Sequence, residues 1–252
     1  MQASDLYLDL LKRVLTDTLF AGEPDVNAPP ERFLVDFVRH YIRGPALSML
    51  PIARLDNLQA CIADVVARGV AGDLIEAGVW RGGAAIFMRA VLRALAVEDR
   101  TVWVADSFEG LPVPDAARFP REAAAHRGSV ATEAFRHFAV PIETVRENFR
   151  RFGLLDGQVR FLEGWFADSL PVAPIERLSV LRLDADYFQS TMDGLVHLYD
   201  RLSVGGYVIV DDYGETEWTY CREAVDAFRA ERAITEPLIA VDRRCSYWQR
   251  AR

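Results

Sequence analysis

The chain has 252 residues, 51% of them hydrophobic and 26% charged, and carries a net charge of −8 at pH 7. These values describe a globular protein with a substantial core, and the absence of any basic block that could track a phosphate backbone argues against a nucleic-acid partner. No apolar run reaches the roughly 18 residues of a membrane span, and the opening MQASDLYLDLLKRV lacks the order of charge, apolar stretch and cleavage site of a signal peptide.

Residues 4–20 place Leu6, Leu10, Leu11, Val14, Leu15 and Leu19 at helical spacing behind a Ser4 cap. A second helix is expected over 31–44, closed by Gly44, and a third over 51–69, with proline at its start and glycine at its end. From Asp73 the pattern changes to strands alternating with helices. Strands are predicted at 73–78, 101–106, 159–164, 178–184 and 206–212, and helices at 82–96, 141–154, 190–202 and 219–232. The strands 237–242 and 245–250 are close enough to form a hairpin. The expectation is an α/β fold, a mostly parallel doubly wound sheet with one antiparallel strand. It is read as one domain over 1–252, with a helical N-terminal extension over 1–70 and a core over 71–252. Segment 107–140 holds prolines and weak periodicity where one helix would suffice. Such connections are often lids over an active site, with a surface insertion as the alternative.

In open parallel sheets, ligands bind beyond the carboxyl ends of the strands. Here those ends read Glu76-Ala77-Gly78, Asp106, Glu163-Gly164, Asp184 with Asp186, and Asp211-Asp212. The turn LIEAGVWRGGAA (74–85) is neither GxGxxG nor a P-loop, which disfavours nicotinamide dinucleotides and nucleoside triphosphates. With Asp106 ready to accept hydrogen bonds from a ribose diol, it points to a nucleoside ligand without phosphates. Taken alone, the glycines require no more than a tight strand–helix turn. Asp184, Asp211 and Asp212 end successive strands, and hard oxygen donors of this kind suit Mg²⁺ or Mn²⁺. A lone Asp-Asp pair is more often a solvated loop or a cap, and Asp184 on the neighbouring strand is what favours the metal.

The rest of the polar inventory is less directed. His40 and His197 are scattered, His197 inside a helix, and His126 and His137 fall in the lid segment, where a surface role is expected. Cys61, Cys221 and Cys245 have no CxxC spacing and read as small buried side chains in a reducing cytoplasm. Trp165, directly after the third strand, is the tryptophan expected near a flat ligand ring.

The blocks GDLIEAGVWRGGAAIF, TVWVADSFEGLP, VRFLEGWFADSLP, VLRLDADYFQSTMD, RLSVGGYVIVDDY and CREAVDAFR together resemble the macrocin-type O-methyltransferases, from about residue 52 to the C-terminus. The resemblance implies a class I (Rossmann-like) methyltransferase sheet of seven strands, S-adenosylmethionine and Mg²⁺ as cofactors, and a deoxysugar hydroxyl of a macrolide-like antibiotic as acceptor. By position it implies that Glu76, Gly78, Arg81 and Gly82 line the S-adenosylmethionine pocket and that Asp106 holds the ribose, with Ser107 beside it. Gly164 and Trp165 would lie near the adenine. Asp184, Asp211 and Asp212 would bind Mg²⁺, with Asp184 also the general base. The chain departs from the family's usual Asp-Gly-Asp at Asp184-Ala185-Asp186, and it inserts GETEWT after VDDY. The same chemistry on a catechol-like phenol, a nucleotide-sugar enzyme, and a silent assembly protein using the N-terminal helices are the alternatives. Those helices also make a homo-oligomer the expected assembly.

Overall fold

The computed structural model describes residues 2–22, 35, 38–130, 136–214 and 219–252. Helix α1 (Ala3–Leu15) is followed by a short α2 (Thr18–Ala21), a π-helical turn (Val38–Ile42) and α3 (Ile52–Ala67). Strand β1 (Asp73–Ala77) leads into α4 (Gly83–Ala94), then β2 (Val102–Asp106), α5 (Pro120–Val130), α6 (Ile142–Arg151) and β3 (Val159–Glu163). A one-turn α7 (Phe166–Ser169) precedes β4 (Leu178–Leu183), α8 (Phe188–Leu198), β5 (Leu202–Val210), α9 (Tyr220–Glu231), β6 (Ile239–Ala240) and β7 (Ser246–Gln249).

The sheet has seven strands in the order β3-β2-β1-β4-β5-β7-β6. The pairs β1–β2, β2–β3, β1–β4 and β4–β5 are parallel, and β7 runs antiparallel to both β5 and β6. This is the predicted α/β sheet with one antiparallel strand. The strand order reverses between β1 and β4, so a crevice opens beyond the ends of those two strands.

Side-chain alternation along each strand feeds two cores. Leu74, Val102, Val104, Val180 and Ile209 face one, which α1, α3, α4 and α6 cover through Leu11, Leu15, Leu58, Ile62, Phe87 and Phe149. Ile75, Trp103, Ala105, Leu181, Val208 and Val210 face the other, closed by Leu195, Leu198, Val225 and Phe228 of α8 and α9. Both faces are therefore buried, which is why the strands read as continuous apolar runs.

Several boundaries differ from expectation. The first helix ends at Leu15 because Asp17 turns left-handed at φ 55°, and its N-cap is Gln2, whose N–H donates to Asp5 Oδ2 at 3.0 Å. Its apolar residues split between two faces. Leu8, Leu11 and Leu15 are buried, whereas Leu6, Leu10 and Val14 are exposed. Residues 31–34, 36 and 37 of the expected helix 31–44 lie outside the described residues, as do 215–218 of the GETEWT insertion, and Val38–Ile42 form a π-helical turn where an α-helix was expected. Strand β5 begins four residues earlier than expected and ends at Val210, leaving Asp211 and Asp212 in a turn just beyond it. Within segment 107–140, residues Pro120–Val130 form a helix despite their weak apolar period.

Candidate active site

Two side-chain groups form at the carboxyl ends of the central strands. The first surrounds Asp106, the last residue of β2. Its Oδ2 accepts the Val79 N–H at 2.7 Å and its Oδ1 the Phe108 N–H at 2.8 Å, so it ties the turn after β1 to the turn after β2. The Ser107 hydroxyl lies 3.4 Å from Oδ1 as a weaker donor, so among the roughly four acceptor sites of the carboxylate this long contact is the one a ligand hydroxyl can most easily replace. Burial pushes the Asp106 carboxyl up, and the backbone N–H donors of Val79, Phe108 and Trp80 pull it back down. Ser107 shapes the next turn, donating to the Gly110 carbonyl at 2.9 Å and accepting the Glu109 N–H at 3.1 Å. The Gly164 N–H, past β3, donates to the Asp106 carbonyl at 3.0 Å. Trp165 beside it is 37% exposed at the rim. Glu163 lies opposite Asp106 in the register of β3 and β2, with its side chain exposed.

The glycine turn between β1 and α4 works by close approach. Gly78 has φ 89°, and a Cβ there would overlap the Asp184 carbonyl oxygen of β4's continuation. Gly82, at φ 86°, is pressed against Val145 of α6. Arg81 spends its guanidinium on the N-terminal segment, donating to the Gly44 carbonyl at 3.0 Å and the Ala46 carbonyl at 2.7 Å while lying over Trp80 at 4.3 Å. It is thus a brace for the residues that precede α3 as well as a wall of the turn.

The second group is acidic. One carboxylate oxygen from each of Asp184, Asp211 and Asp212 falls within 4.8 Å of the others, the spacing at which one ion can be shared. Asp212 Oδ2 is buried and has no hydrogen-bond partner among the described residues. Such an atom is costly unless a cation or donor meets it. Burial, followed by the Asp211 charge, pushes Asp184 up to about 6 against the pull of Arg182. A third of the Asp184 side chain stays open to the crevice, which limits that desolvation. Asp186, in a left-handed conformation at φ 55°, is pushed up to about 8 by burial and by Asp184 and Asp211. Asp212 is raised by burial and then by Asp186, Asp184 and Asp211, with Arg54 opposing.

Two arginines compensate this charge, and sequence reasoning missed both. Arg182 is 1% exposed on β4. It donates to Glu76 Oε1 at 2.5 Å, to Asp211 Oδ1 at 2.7 Å and to Asp184 Oδ2 at 3.0 Å. Arg54, from α3, donates to Asp211 Oδ2 at 2.8 Å and grips Asp242 through Nε and Nη2 at 2.6 and 3.1 Å. Asp211 therefore has a guanidinium on each oxygen. Glu76, buried at 2%, keeps Oε2 free of a hydrogen bond and is pushed up to about 8 by burial and by Asp184 and Asp211 despite Arg182. The one available signal was an arginine inside the buried run LSVLRLD, where a charge requires partners.

The histidines sort by packing. His40 is buried with Nε2 at 2.7 Å from the Thr16 carbonyl, and His137 accepts the Trp80 indole N–H on its carbonyl at 2.8 Å. His126 is not a surface residue as expected. It is buried against Tyr187, Nδ1 to Oη 2.9 Å, because α5 folds down onto the turn after β4. Cys61, Cys221 and Cys245 are free and buried, as predicted.

A doubly wound sheet in this strand order, with a glycine turn after β1 and an acid closing β2, is that of a Rossmann-like methyltransferase. The O-methyltransferase NovP shares the whole architecture, with a TM-score of 0.84 and 48% identity over 99% of this chain and 100% of that one. The chain belongs to the macrocin-O-methyltransferase (TylF) family, whose pattern it matches over residues 43–250, and it is an O-methyltransferase. It is 47% identical to the demethyldecarbamoylnovobiocin O-methyltransferase of Streptomyces niveus, over 99% of this chain and 95% of that protein. It is 44% identical to the mycinamicin III 3''-O-methyltransferase of Micromonospora griseorubida, over 98% and 97% respectively. The calicheamicin methyltransferase CalS11 shares the fold at 17% identity with a TM-score of 0.61. Among the described residues, no helix is long and apolar enough to cross a membrane.

Proposed function

We propose that the protein transfers a methyl group from S-adenosylmethionine to a deoxysugar hydroxyl on a glycosylated natural product, with Mg²⁺ held by Asp184, Asp211 and Asp212. The observation that carries this reading is the carboxylate triad within 4.8 Å, with the orphaned Asp212 Oδ2 beside it. The donor set is all oxygen, which fits Mg²⁺ and disfavours zinc. The S-adenosylmethionine site is assigned to the other group. Asp106 is assigned to the ribose hydroxyls, which would replace its long contact with Ser107 beside it, and Glu76 Oε2, a buried acceptor with no partner among the described residues, suits an ammonium. Gly78, Arg81 and Gly82 form the turn, and the exposed Trp165 with Gly164 offers a flat surface to the adenine. The names of the relatives support a sugar acceptor within antibiotic biosynthesis.

When bound, S-adenosylmethionine supplies a methyl on a sulfonium, and Mg²⁺ acidifies the hydroxyl it touches. The chain's own residues do the remainder. Asp184, its Oδ2 fixed by Arg182, accepts the hydroxyl proton as general base. Asp211, held from both sides by arginines, cannot swing away from the ion site. The acidic crevice also favours a cationic cofactor over its neutral product. Residues 107–130, anchored by α5, are assigned to the acceptor side, where they would exclude water. The whole chain acts as one unit, a helical extension over 1–70 and a cofactor-binding core over 71–252, in the cytoplasm. The exposed Leu6, Leu10 and Val14 of α1 support self-association.

The test is calorimetric titration of S-adenosylmethionine, with NAD as control, followed by turnover assays on glycosylated and catechol acceptors with and without Mg²⁺. Saturable binding of S-adenosylmethionine alone and Mg²⁺-dependent methylation of the glycosylated acceptor are expected. Failure to bind it in folded, cofactor-free protein overturns the reading, and turnover confined to catechols replaces the acceptor class.

A further inference from the structure

The turn that carries Asp184 and Asp186 ends at Tyr187, the N-cap of α8, and no side chain of that helix caps its own N-terminus. A helix start leaves N–H groups without intrahelical partners, and a buried one must find acceptors elsewhere. Here the partner comes from a distant element. Glu122, on α5, is 1% exposed, and its Oε1 accepts the Phe188 N–H at 2.9 Å. Two further contacts seat the same helix on the same turn. His126 Nδ1 lies 2.9 Å from Tyr187 Oη, and the rings of Phe119 and Phe188 stand 5.1 Å apart. Phe188 follows Asp186 by two residues, so whatever fixes its N–H fixes the exit of the turn. An acidic group at a helix N-terminus is favoured by the macrodipole as well.

We propose that Glu122 is a positioning residue for the metal-bearing turn: by capping α8 from α5, it holds Asp184 in register with Asp211 and Asp212. The proposal rests on the Mg²⁺ reading above. Glu122 is not among the carboxylates grouped at the ion site, and it acts through the backbone of residues 184–188. Removing a partner that orients a metal ligand typically weakens metal binding by about 10- to 100-fold. Because Glu122 acts at one further remove, the lower end of that range, about tenfold, is expected.

The experiment titrates Mg²⁺ by calorimetry into wild type, Glu122→Ala and Glu122→Gln, each checked by thermal melting and by S-adenosylmethionine titration. Glu122→Ala should bind Mg²⁺ about tenfold more weakly, with an unchanged S-adenosylmethionine affinity. In turnover it should raise the Mg²⁺ requirement while kcat recovers at saturating Mg²⁺. Glu122→Gln, which keeps the accepting oxygen, should restore wild-type Mg²⁺ affinity. A second pair removes the donor instead. Phe188→Pro abolishes the N–H at the first helical position, where proline is tolerated, and Phe188→Ala loses the same ring but keeps the N–H. The proline variant should bind Mg²⁺ more weakly than the alanine one, and this pair decides the matter if Glu122→Ala does not fold. Equal Mg²⁺ affinity within both pairs overturns the proposal and leaves the metal reading intact. A wild-type protein that binds no Mg²⁺ overturns the metal reading itself, and is recognised before any variant is compared.

Discussion

Arg182 and Glu76 stand opposite each other in the register of β4 and β1, joined by a 2.5 Å ion pair with both side chains almost fully buried. The same guanidinium reaches Asp184 and Asp211, so β1 and the carboxylates beyond β4 and β5 share one cation. Breaking a buried pair by removing one partner typically costs about 3–5 kcal/mol. Arg182→Met should destabilise the protein by about that amount in urea unfolding and weaken Mg²⁺ binding in the fraction that folds. Arg182→Lys keeps the charge but loses the fork, so it should fall between the two. A methionine variant as stable as wild type would show that the hub is dispensable.

In the proposed mechanism Asp184 is both a metal ligand and the general base. Asp184→Asn should abolish turnover, measured with excess Mg²⁺ and S-adenosylmethionine, while leaving S-adenosylmethionine binding within about twofold, well under 1.4 kcal/mol. Near-normal turnover in this variant would assign the base elsewhere.

Gly78 is required by its neighbour as much as by any ligand. At φ 89° an alanine is strained, and its Cβ would meet the Asp184 carbonyl oxygen. A non-glycine residue held in such a conformation costs on the order of 1–3 kcal/mol before the overlap is counted. Gly78→Ala should therefore melt earlier and lose Mg²⁺ affinity together with S-adenosylmethionine affinity. If Mg²⁺ binding survived unchanged, the close approach would not set the position of Asp184.

The acidic group gives stability a definite pH dependence when no divalent cation is present. Asp184 is raised from 3.8 to about 6 and Asp186 from 3.8 to about 8. A group whose folded value is raised favours the folded state when protonated. That stability is complete below about pH 4 and is lost as pH climbs through 6 and then 8. In EDTA, the melting temperature should fall between pH 5 and pH 8 by more than in a variant carrying Asp184→Asn and Asp186→Asn. Added Mg²⁺, which needs the deprotonated carboxylates, should stabilise increasingly over the same window. A flat profile in EDTA would contradict the assigned coupling.

Much of the scaffold was legible in the sequence because both sheet faces are buried. Runs such as LSVLRLD and YVIVDD read as interior strands, and the acids at their ends marked the rim where the carboxylates gather. The apolar period announced the first helix but not its buried face, because Leu6, Leu10 and Val14 form a second stripe away from Leu8, Leu11 and Leu15, and periodicity does not tell which stripe faces the core. The helix at Pro120–Val130 escaped because polar contacts, Glu122 to Phe188 and His126 to Tyr187, seat it in place of a regular apolar face. The triad could be anticipated from adjacent strand ends. Arg54 could not, since Asp211 lies 157 residues further along the chain.

The reach of Arg54 makes the protein hard to divide. A helix that in sequence looks like an appendage supplies one of the cations that neutralise the acidic crevice, and the same guanidinium clasps Asp242 in the C-terminal hairpin. A truncated form beginning at β1 would be a core whose charges no longer balance, rather than a minimal enzyme. Chimaeras that exchange N-terminal segments between relatives to alter acceptor choice should place their junctions after α3 only when the incoming segment brings its own arginine to meet Asp211 and Asp242.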